Sequence, residues 1–387
     1  MDTAHCTPRL ARLLLGLVLL GSVGPAAATD RPAAAACANA QPGALTFFGV
    51  NGYFTGYERS SAEVTTLLPK GIVAGMRWTR EEFSWANIEP SQGSFNWSTF
   101  DTRLQAIAAA GYGVVGMLLT TPGWAKKTSC TVQPLYFCPP EDPGDFANFA
   151  AAAAERYDGD GNSDAPGSPR VAYWEIWNEP NHPATWHGGT LAERAHDYAD
   201  LLVPAYDAVK AVDPTAQVLF GGIYIYAGDM SPPEAYDGIP FINSVVAAHP
   251  EALYKFDILS IHPYMPDVSP DKPGLNADIT MLGRLQTAQT WVATHRPGVP
   301  VWVTEVGWST CTAGQGDCTS SLAKTEEQQA NYLLRTHVFA LSKGIAHLST
   351  FQLEDKFDGS PGSSKVWGGC AVLSTAAQGY AAKKAYN

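Results

Sequence analysis

Short apolar runs alternate with longer amphipathic segments along most of the chain. The short runs are rich in β-branched and aromatic residues, which is typical of strands buried on both faces. The pattern predicts eight strands, at residues 45–51, 71–78, 113–120, 171–178, 217–224, 256–262, 299–305 and 347–353.

The segments between these runs have helical spacing. Residues 145–157 and 191–212 each place their apolar side chains on one face. A third helix is predicted from Glu326, because Thr325 with Gln328 forms a capping box and Gly344 supplies a stop. Eight strands alternating with helices predict a (β/α)8 TIM barrel, as a single domain over residues 44–387.

The N-terminal segment has the composition of a targeting signal. Arg9 and Arg12 precede an apolar run and a string of small residues that ends at Ala28. We interpret residues 1–28 as a secretory signal peptide and residues 29–43 as a flexible lead. The mature protein is expected outside the cytoplasm, either extracellular or periplasmic.

The chain has seven cysteines, and Cys6 lies in the predicted signal. An even number then remains, which indicates disulfides in an exported protein. Short spacings predict the pairs Cys130 with Cys138 and Cys311 with Cys318, and a third bond would join Cys37 to Cys370 or leave both as buried thiols. The spacings match no zinc motif, and no metal or other cofactor is expected.

The overall charge favours a neutral partner. The formal net charge is −12 at pH 7, which disfavours nucleic acid, anionic lipid and polyanionic sugars. A neutral substrate is favoured unless a local basic pocket overrules this average, no nucleic acid or membrane partner is expected, and the protein is expected to be a monomer.

Polar residues collect where the predicted strands end. These positions form the active mouth of a TIM barrel. The candidates are Arg77 on the second strand, Asn178 and Glu179 on the fourth, His262 and Tyr264 on the sixth, and Glu305 on the seventh.

Glu179 and Glu305 would bring two carboxylates to one mouth. Glycoside hydrolysis needs such a pair, because one carboxyl protonates the departing oxygen while the other attacks the sugar carbon or activates a water. Their separation distinguishes retention from inversion of configuration.

The motifs that carry these residues resemble a known group of enzymes. WEIWNEPN, MRW, SIHPY and WVTEVGWS together resemble clan A glycoside hydrolases. The sequence is most similar to family 39 and related bacterial exopolysaccharide endoglycosidases, with family 5 close behind. The resemblance implies a retaining enzyme on a (β/α)8 barrel.

By this resemblance, Glu179 is the acid/base and Glu305 the nucleophile. Asn178 would hold the sugar 2-hydroxyl, and Arg77 would lie beside Glu305. His262 and Tyr264 would orient the two carboxylates or touch the sugar. The sequence departs from the family at strand eight, where a tryptophan is usual and STFQLED has Thr350 and Phe351.

Other residues have simpler interpretations as well. Trp124, Trp186, Trp308 and Trp367 could stack on sugars or pack the loops. Glu175 lies too deep in its strand for the mouth and is expected to pair with a buried cation or donor. Residues 158–164 resemble part of a calcium loop, but Ser163 replaces the usual glycine and a polar turn is preferred.

The sequence thus predicts a secreted retaining β-glycoside hydrolase that cleaves a neutral polysaccharide or oligosaccharide. Endo action is favoured because an extended loop and scattered tryptophans suit several sugar subsites. The alternatives are an exo-acting β-xylosidase or β-glucosidase and a catalytically inactive barrel that only binds carbohydrate.

Overall fold

Eight parallel strands close into a barrel in sequence order. The computed structural model describes residues 47–56, 59–225, 237–273, 279–356 and 364–387. Within these ranges each strand pairs with the next, and the eighth pairs with the first, which confirms the predicted TIM barrel. The strands are β1 (Phe48–Asn51), β2 (Trp78–Ser84), β3 (Gly113–Leu119), β4 (Tyr173–Asn178), β5 (Gln217–Tyr224), β6 (Ile258–His262), β7 (Val301–Val306) and β8 (Leu348–Thr350).

Helices connect the strands. The α-helices of the described ranges are α1 (Ser61–Val73), α2 (Trp85–Ile88), α3 (Ser98–Ala109), α4 (Pro143–Arg156), α5 (Leu191–Val212), α6 (Gly238–Ala248), α7 (Met281–His295), α8 (Glu326–Ser342) and α9 (Lys365–Gly368). Short 3₁₀ turns occur at Leu135–Phe137, Pro250–Tyr254, Ala376–Gln378 and Lys384–Tyr386. The predicted capping box of Thr325 and Gln328 is present at α8. None of the helices in these ranges has the length and apolarity needed to cross a membrane.

The second predicted strand is wrong. Residues 71–78 form the end of α1 and the turn after it, and β2 begins only at Trp78. Its sequence, WTREEFS, contains three charged residues, which hides the strand from a search for apolar runs. The strand forms nonetheless, because Glu175 on β4 supplies a buried partner for Arg80, and Thr55, on the loop after β1, supplies one for Glu81. The fifth strand and the helix at 191–212 match the prediction residue for residue.

The barrel interior is layered. An apolar layer lies toward the start of the strands, and it consists of Trp78, Val115, Leu219, Ile258 and Trp302. Side chains two residues later on a strand point the same way. The next layer is therefore formed by residues such as Arg80, Glu175, Ser260 and Thr304, all buried. A polar layer thus supports the mouth from below.

Two disulfides lie on the loops after β3 and β7. They join Cys130 to Cys138 and Cys311 to Cys318, with Cα atoms 5.8 and 6.2 Å apart, as predicted. Cys370 is buried. Its predicted partner Cys37 lies outside the described residues, as do the predicted signal at 1–28 and the lead at 29–43.

Candidate active site

Glu179 stands on a turn directly after β4. Its backbone has a φ of +45°, an unusual conformation for a residue with a side chain. The turn is held by hydrogen bonds: Glu179 N donates to Gly222 O (3.1 Å), and Glu179 O accepts from His182 N (2.8 Å) and Thr185 Oγ1 (2.8 Å). These contacts fix the carboxyl at the mouth.

His262, the last residue of β6, contacts the carboxyl of Glu179. Its Nδ1 lies 2.7 Å from Glu179 Oε1, and its Nε2 lies 3.0 Å from Thr304 Oγ1. The imidazole packs over Gly222, where an added Cβ would come within 2.2 Å of Nε2. A side chain at position 222 would therefore clash with the imidazole, so this position requires glycine.

Glu305 lies on β7, one residue after Thr304 of the polar layer. Its hydrogen-bond partners differ from those of Glu179. The Arg80 guanidinium donates to Oε1 through Nη1, and the Tyr264 hydroxyl donates to Oε2 over 2.9 Å. The side chain is 9% exposed. A charge-assisted pair and a phenol thus hold this carboxylate, whereas a single imidazole meets Glu179.

The two carboxyl groups are close together. One oxygen of Glu179, one oxygen of Glu305 and one ring nitrogen of His262 all lie within 4.8 Å of one another. This spacing suits the pair of a retaining glycosidase, for which about 5–5.5 Å is usual, and falls below the ~6.5–9.5 Å that accommodates a water in an inverting enzyme.

Burial sets the protonation of Glu179 and His262. It raises the pKa of Glu179 to about 7, although His182 and Arg80 act in the opposite direction. Burial also lowers the pKa of His262 to about 4, against the attraction of Glu305. At neutral pH the imidazole is therefore uncharged, and Glu179 holds a proton for a substantial part of the time.

Arg80 connects both sides of the site and was missed by sequence analysis. Besides Glu305, it donates from Nε to Glu175 Oε2 (2.5 Å) and from Nη2 to Asn178 Oδ1 (2.8 Å). Burial opposes its charge, but Glu175 and Glu305 raise its pKa above the usual value. The predicted pairing of Glu175 with a buried cation is confirmed.

The prediction for Arg77 is wrong. Arg77 precedes β2, and its Nη1 donates to the carbonyls of Ile72 and Met76 at the far end of the strand from the mouth. The error follows from the shifted strand, since Arg80 is three residues further along. Asn178, His262, Tyr264, Glu179 and Glu305 do come together as the sequence predicts.

Two of the predicted sugar-stacking tryptophans are buried, and a third is half-buried. Trp186 and Trp308 are fully buried. Trp186 packs on Trp177, and Trp308 Nε1 donates to the carbonyls of Met265 and Val268. Trp124 is half-buried against Trp85 and donates to Glu89 O. The predictions of Trp186 and Trp308 as substrate-binding residues are therefore wrong. Trp124 packs its loop.

Trp367 is more exposed than these three tryptophans. It is 39% exposed on α9 and packs edge to face on Tyr264, with ring centroids 5.0 Å apart. Phe351, directly after β8, packs at 6.2–6.5 Å against Tyr53, Tyr264 and Trp367. Phe351 thus stands where the expected strand-eight tryptophan is missing, while Thr350 is buried.

Other clusters of potential metal ligands in the described part of the chain have internal explanations. Asp158 and Asp160 accept from the backbone N–H groups of residues 160 and 162, which is the hydrogen bonding of the predicted polar turn. On the surface, Asp200 lies 3.2 Å from His196 Nδ1 and 2.8 Å from His249 Nε2 as an ion-pairing partner.

Comparisons with known proteins agree with this architecture. The family model for glycoside hydrolase family 42, described as beta-galactosidase, matches residues 69–130. A comparison with curated protein sequences gives no match.

Several solved structures share the fold. A family 39 glycoside hydrolase from Bacteroides cellulosilyticus WH2 is 21% identical, with a TM-score of 0.61, over 88% of this chain and 61% of that one. A monomeric beta-xylosidase from Caulobacter crescentus CB15 is 17% identical, with a TM-score of 0.64, over 88% and 66%. A GH5_18 protein from Streptomyces cattleya is 16% identical, with a TM-score of 0.62, over 88% and 78%.

The alignments span 61% and 66% of the first and second of these chains, so this chain corresponds to under two thirds of their length. At these identities the comparisons establish a common fold. The resemblance to clan A barrels is confirmed at that level, with family 39 and family 5 both among the structural neighbours.

Proposed function

We propose that the protein is a retaining β-glycoside hydrolase that cleaves a neutral polysaccharide or oligosaccharide. The observation that carries the proposal is the carboxyl pair within 4.8 Å, in which Glu179 meets a neutral imidazole and Glu305 meets Arg80 and Tyr264. Two carboxyl groups with such unlike surroundings suit an acid and a nucleophile.

The reaction runs in two displacements. A Glu305 oxygen attacks the anomeric carbon and forms a glycosyl ester while the glycosidic C–O bond breaks, and the Glu179 proton passes to the leaving oxygen. Glu179 then removes a proton from water, whose oxygen attacks the same carbon and releases Glu305. Arg80 and Tyr264 hold Glu305 in place, and the Asn178 amide, oriented by Arg80, is positioned to donate to a sugar hydroxyl.

Two features support a neutral substrate and an exported protein. The net charge of −12 and the carboxyl pair at the mouth both repel anionic sugars. The two disulfides, Cys130–Cys138 and Cys311–Cys318, suit an oxidising compartment.

Endo action is also proposed, although the structure removes part of the sequence evidence for it. Burial of Trp186 and Trp308 removes two of the tryptophans that suggested several sugar subsites. Sizing the products of a soluble β-glucan, β-xylan or β-mannan during the first few per cent of hydrolysis distinguishes the modes. Internal cleavage gives a ladder of oligosaccharides. Release of mono- or disaccharides alone establishes exo action.

Proton NMR of fresh products tests the reaction itself. A panel of aryl β-glycosides (xyloside, glucoside, galactoside and mannoside) is hydrolysed, and the first product observed should be the β-anomer. A first product of α configuration would exclude the retaining mechanism. Binding of polysaccharides without hydrolysis of any substrate would instead favour the inactive carbohydrate-binding barrel.

A further inference from the structure

A buried chain of hydrogen bonds leads from Glu179 away from the mouth. It runs from Glu179 Oε1 to His262 Nδ1 (2.7 Å), from His262 Nε2 to Thr304 Oγ1 (3.0 Å), and from Thr304 Oγ1 to Glu175 Oε1 (3.0 Å). His262, Thr304 and Glu175 are each fully buried.

The direction of each hydrogen bond follows from the inner end. Arg80 Nε donates to Glu175, so Glu175 is an ion-paired carboxylate that only accepts. The single hydroxyl proton of Thr304 is therefore best used on Glu175, since a hydrogen bond to a charged acceptor is the stronger one. The Thr304 oxygen then presents a lone pair to His262 Nε2, and Nε2 must carry the proton.

The imidazole passes this arrangement on to the acid. A neutral imidazole has one N–H, so with Nε2 protonated, Nδ1 can only accept. An ionised Glu179 would face that lone pair at 2.7 Å without a proton between them. A protonated Glu179 donates to it instead.

We propose that Thr304 is a positioning residue, whose hydroxyl fixes the His262 tautomer that keeps Glu179 protonated. The role given to Glu179 as an acid rests on the proposed function, whereas the tautomer itself does not. A carboxyl held in this way protonates the leaving group at neutral pH and, once ionised, removes a proton from water more readily.

The other charges around the pair do not substitute for this contact. Arg80 and His182 favour ionised Glu179, and Glu175 favours the neutral acid. Glu305 Oε2 lies 3.9 Å from His262 Nδ1, beyond hydrogen-bonding distance. These groups act through space, whereas Thr304 contacts Nε2 directly.

Thr304→Val tests the role by removing the hydroxyl at nearly constant volume. The Nε2 proton then loses its acceptor, and the tautomer with the proton on Nδ1 gains a hydrogen bond to ionised Glu179. We expect the alkaline limb of the kcat/KM profile to move down by about one pH unit, a tenfold change in acid dissociation. Thr304→Ser keeps the hydroxyl, so its alkaline limb should lie at the wild-type pH.

Thr350→Val is the matched control. Thr350 is a buried threonine on the neighbouring β8 whose Oγ1 has no hydrogen-bond partner among the residues that the structure describes. This variant should leave the limb in place, as should any merely structural damage, which lowers activity at every pH without moving the profile. A limb that stays in place in folded Thr304→Val, or that Thr304→Ser fails to restore, overturns the proposal.

NMR separates this inference from the glycosidase proposal. In protein with ¹⁵N-labelled histidine, His262 should show a protonated Nε2 and a bare Nδ1 at neutral pH. In ¹³C-glutamate-labelled protein, the Glu179 resonance, assigned with Glu179→Gln, should titrate about one unit lower in Thr304→Val. Neither measurement needs turnover, and a protonated Nδ1 in the wild type excludes the proposal even if the valine variant does not fold.

Discussion

The two sides of the mouth show how one barrel gives two carboxyl groups different properties. On one side, Glu179 has left its strand, has an unusual backbone conformation and contacts an imidazole that burial keeps neutral. On the other side, Glu305 lies in line with β7 and accepts from a guanidinium and a phenol.

The difference has a structural source. The Glu179 side depends on its local turn and on the space above Gly222, whereas the Glu305 side depends on the polar layer inside the barrel. In the proposed mechanism, the step that needs a proton thus takes place where charge is disfavoured, and the step that needs a negative charge takes place beside a fixed cation.

The largest effect should come from Glu305→Gln. The amide is not nucleophilic, so no glycosyl-enzyme forms, and we expect kcat to fall by at least about 10⁴-fold. A mechanism-based 2-fluoro glycoside, followed by mass spectrometry of peptides, should label Glu305 in the wild type. A label on Glu179 would reverse the comparison of the two sides.

A smaller and substrate-dependent loss is expected for Glu179→Gln. Protonation of the leaving group is worth roughly 10²–10⁴-fold, but a dinitrophenyl glycoside needs little of it. The variant should therefore retain most of the rate of forming the glycosyl-enzyme from that substrate while losing activity on oligosaccharides. Rapid-mixing measurements of released dinitrophenol check this step. Equal losses on both substrates would contradict the role of Glu179 as acid.

Tyr264→Phe weakens the nucleophile side without removing its charge. A hydrogen bond to a charged group contributes about 1.5–3 kcal/mol, so kcat/KM should fall by about 10–100-fold. Tyr112→Phe is the control, because it deletes a buried hydroxyl that bonds Leu68 O, away from the carboxyl pair. That variant should change the melting temperature and leave kcat unchanged.

The smallest effect is expected for Trp367→Ala, at the rim. Loss of a stacking surface worth about 0.5–1.5 kcal/mol should raise KM roughly 2–10-fold, with little change in kcat. Tyr254→Ala removes an exposed aromatic ring, 62% accessible, at the other end of the barrel and should change neither constant. An unchanged KM in Trp367→Ala would remove this residue from the sugar site.

The sequence predicted the barrel and much of the site for a shared reason. Strands buried on both faces read as apolar runs, and polar residues at their ends stand out, as Glu179, His262 and Glu305 do. Strand β2 broke this rule because its interior residue, Arg80, is charged. Its partners come from β4 and β7, far away in sequence, and no local pattern reveals them.

The predictions for the tryptophans were wrong for a different reason. The local sequence around a loop tryptophan does not show whether its side chain packs against the loop or is exposed to a ligand. The positions of its neighbours in the folded protein determine which of the two occurs. Trp186 lies against Trp177 because the turn after Glu179 folds back on β4, whereas Trp367 stays at the surface on α9. The backbone conformation of Glu179 was equally invisible, since it depends on contacts from Thr185 and Gly222.

The single guanidinium of Arg80 has a consequence for which sugars the mouth accepts. At rest it faces Glu175 and Glu305 as anions while Glu179 is neutral, a sum of one negative charge. When Glu305 becomes an ester and Glu179 gives up its proton, the sum is unchanged, and the charge has only crossed the mouth. A uronic acid in that space would add a second negative charge that no step of the proposed cycle removes, so we expect the protein to discriminate against acidic sugars at every stage of turnover.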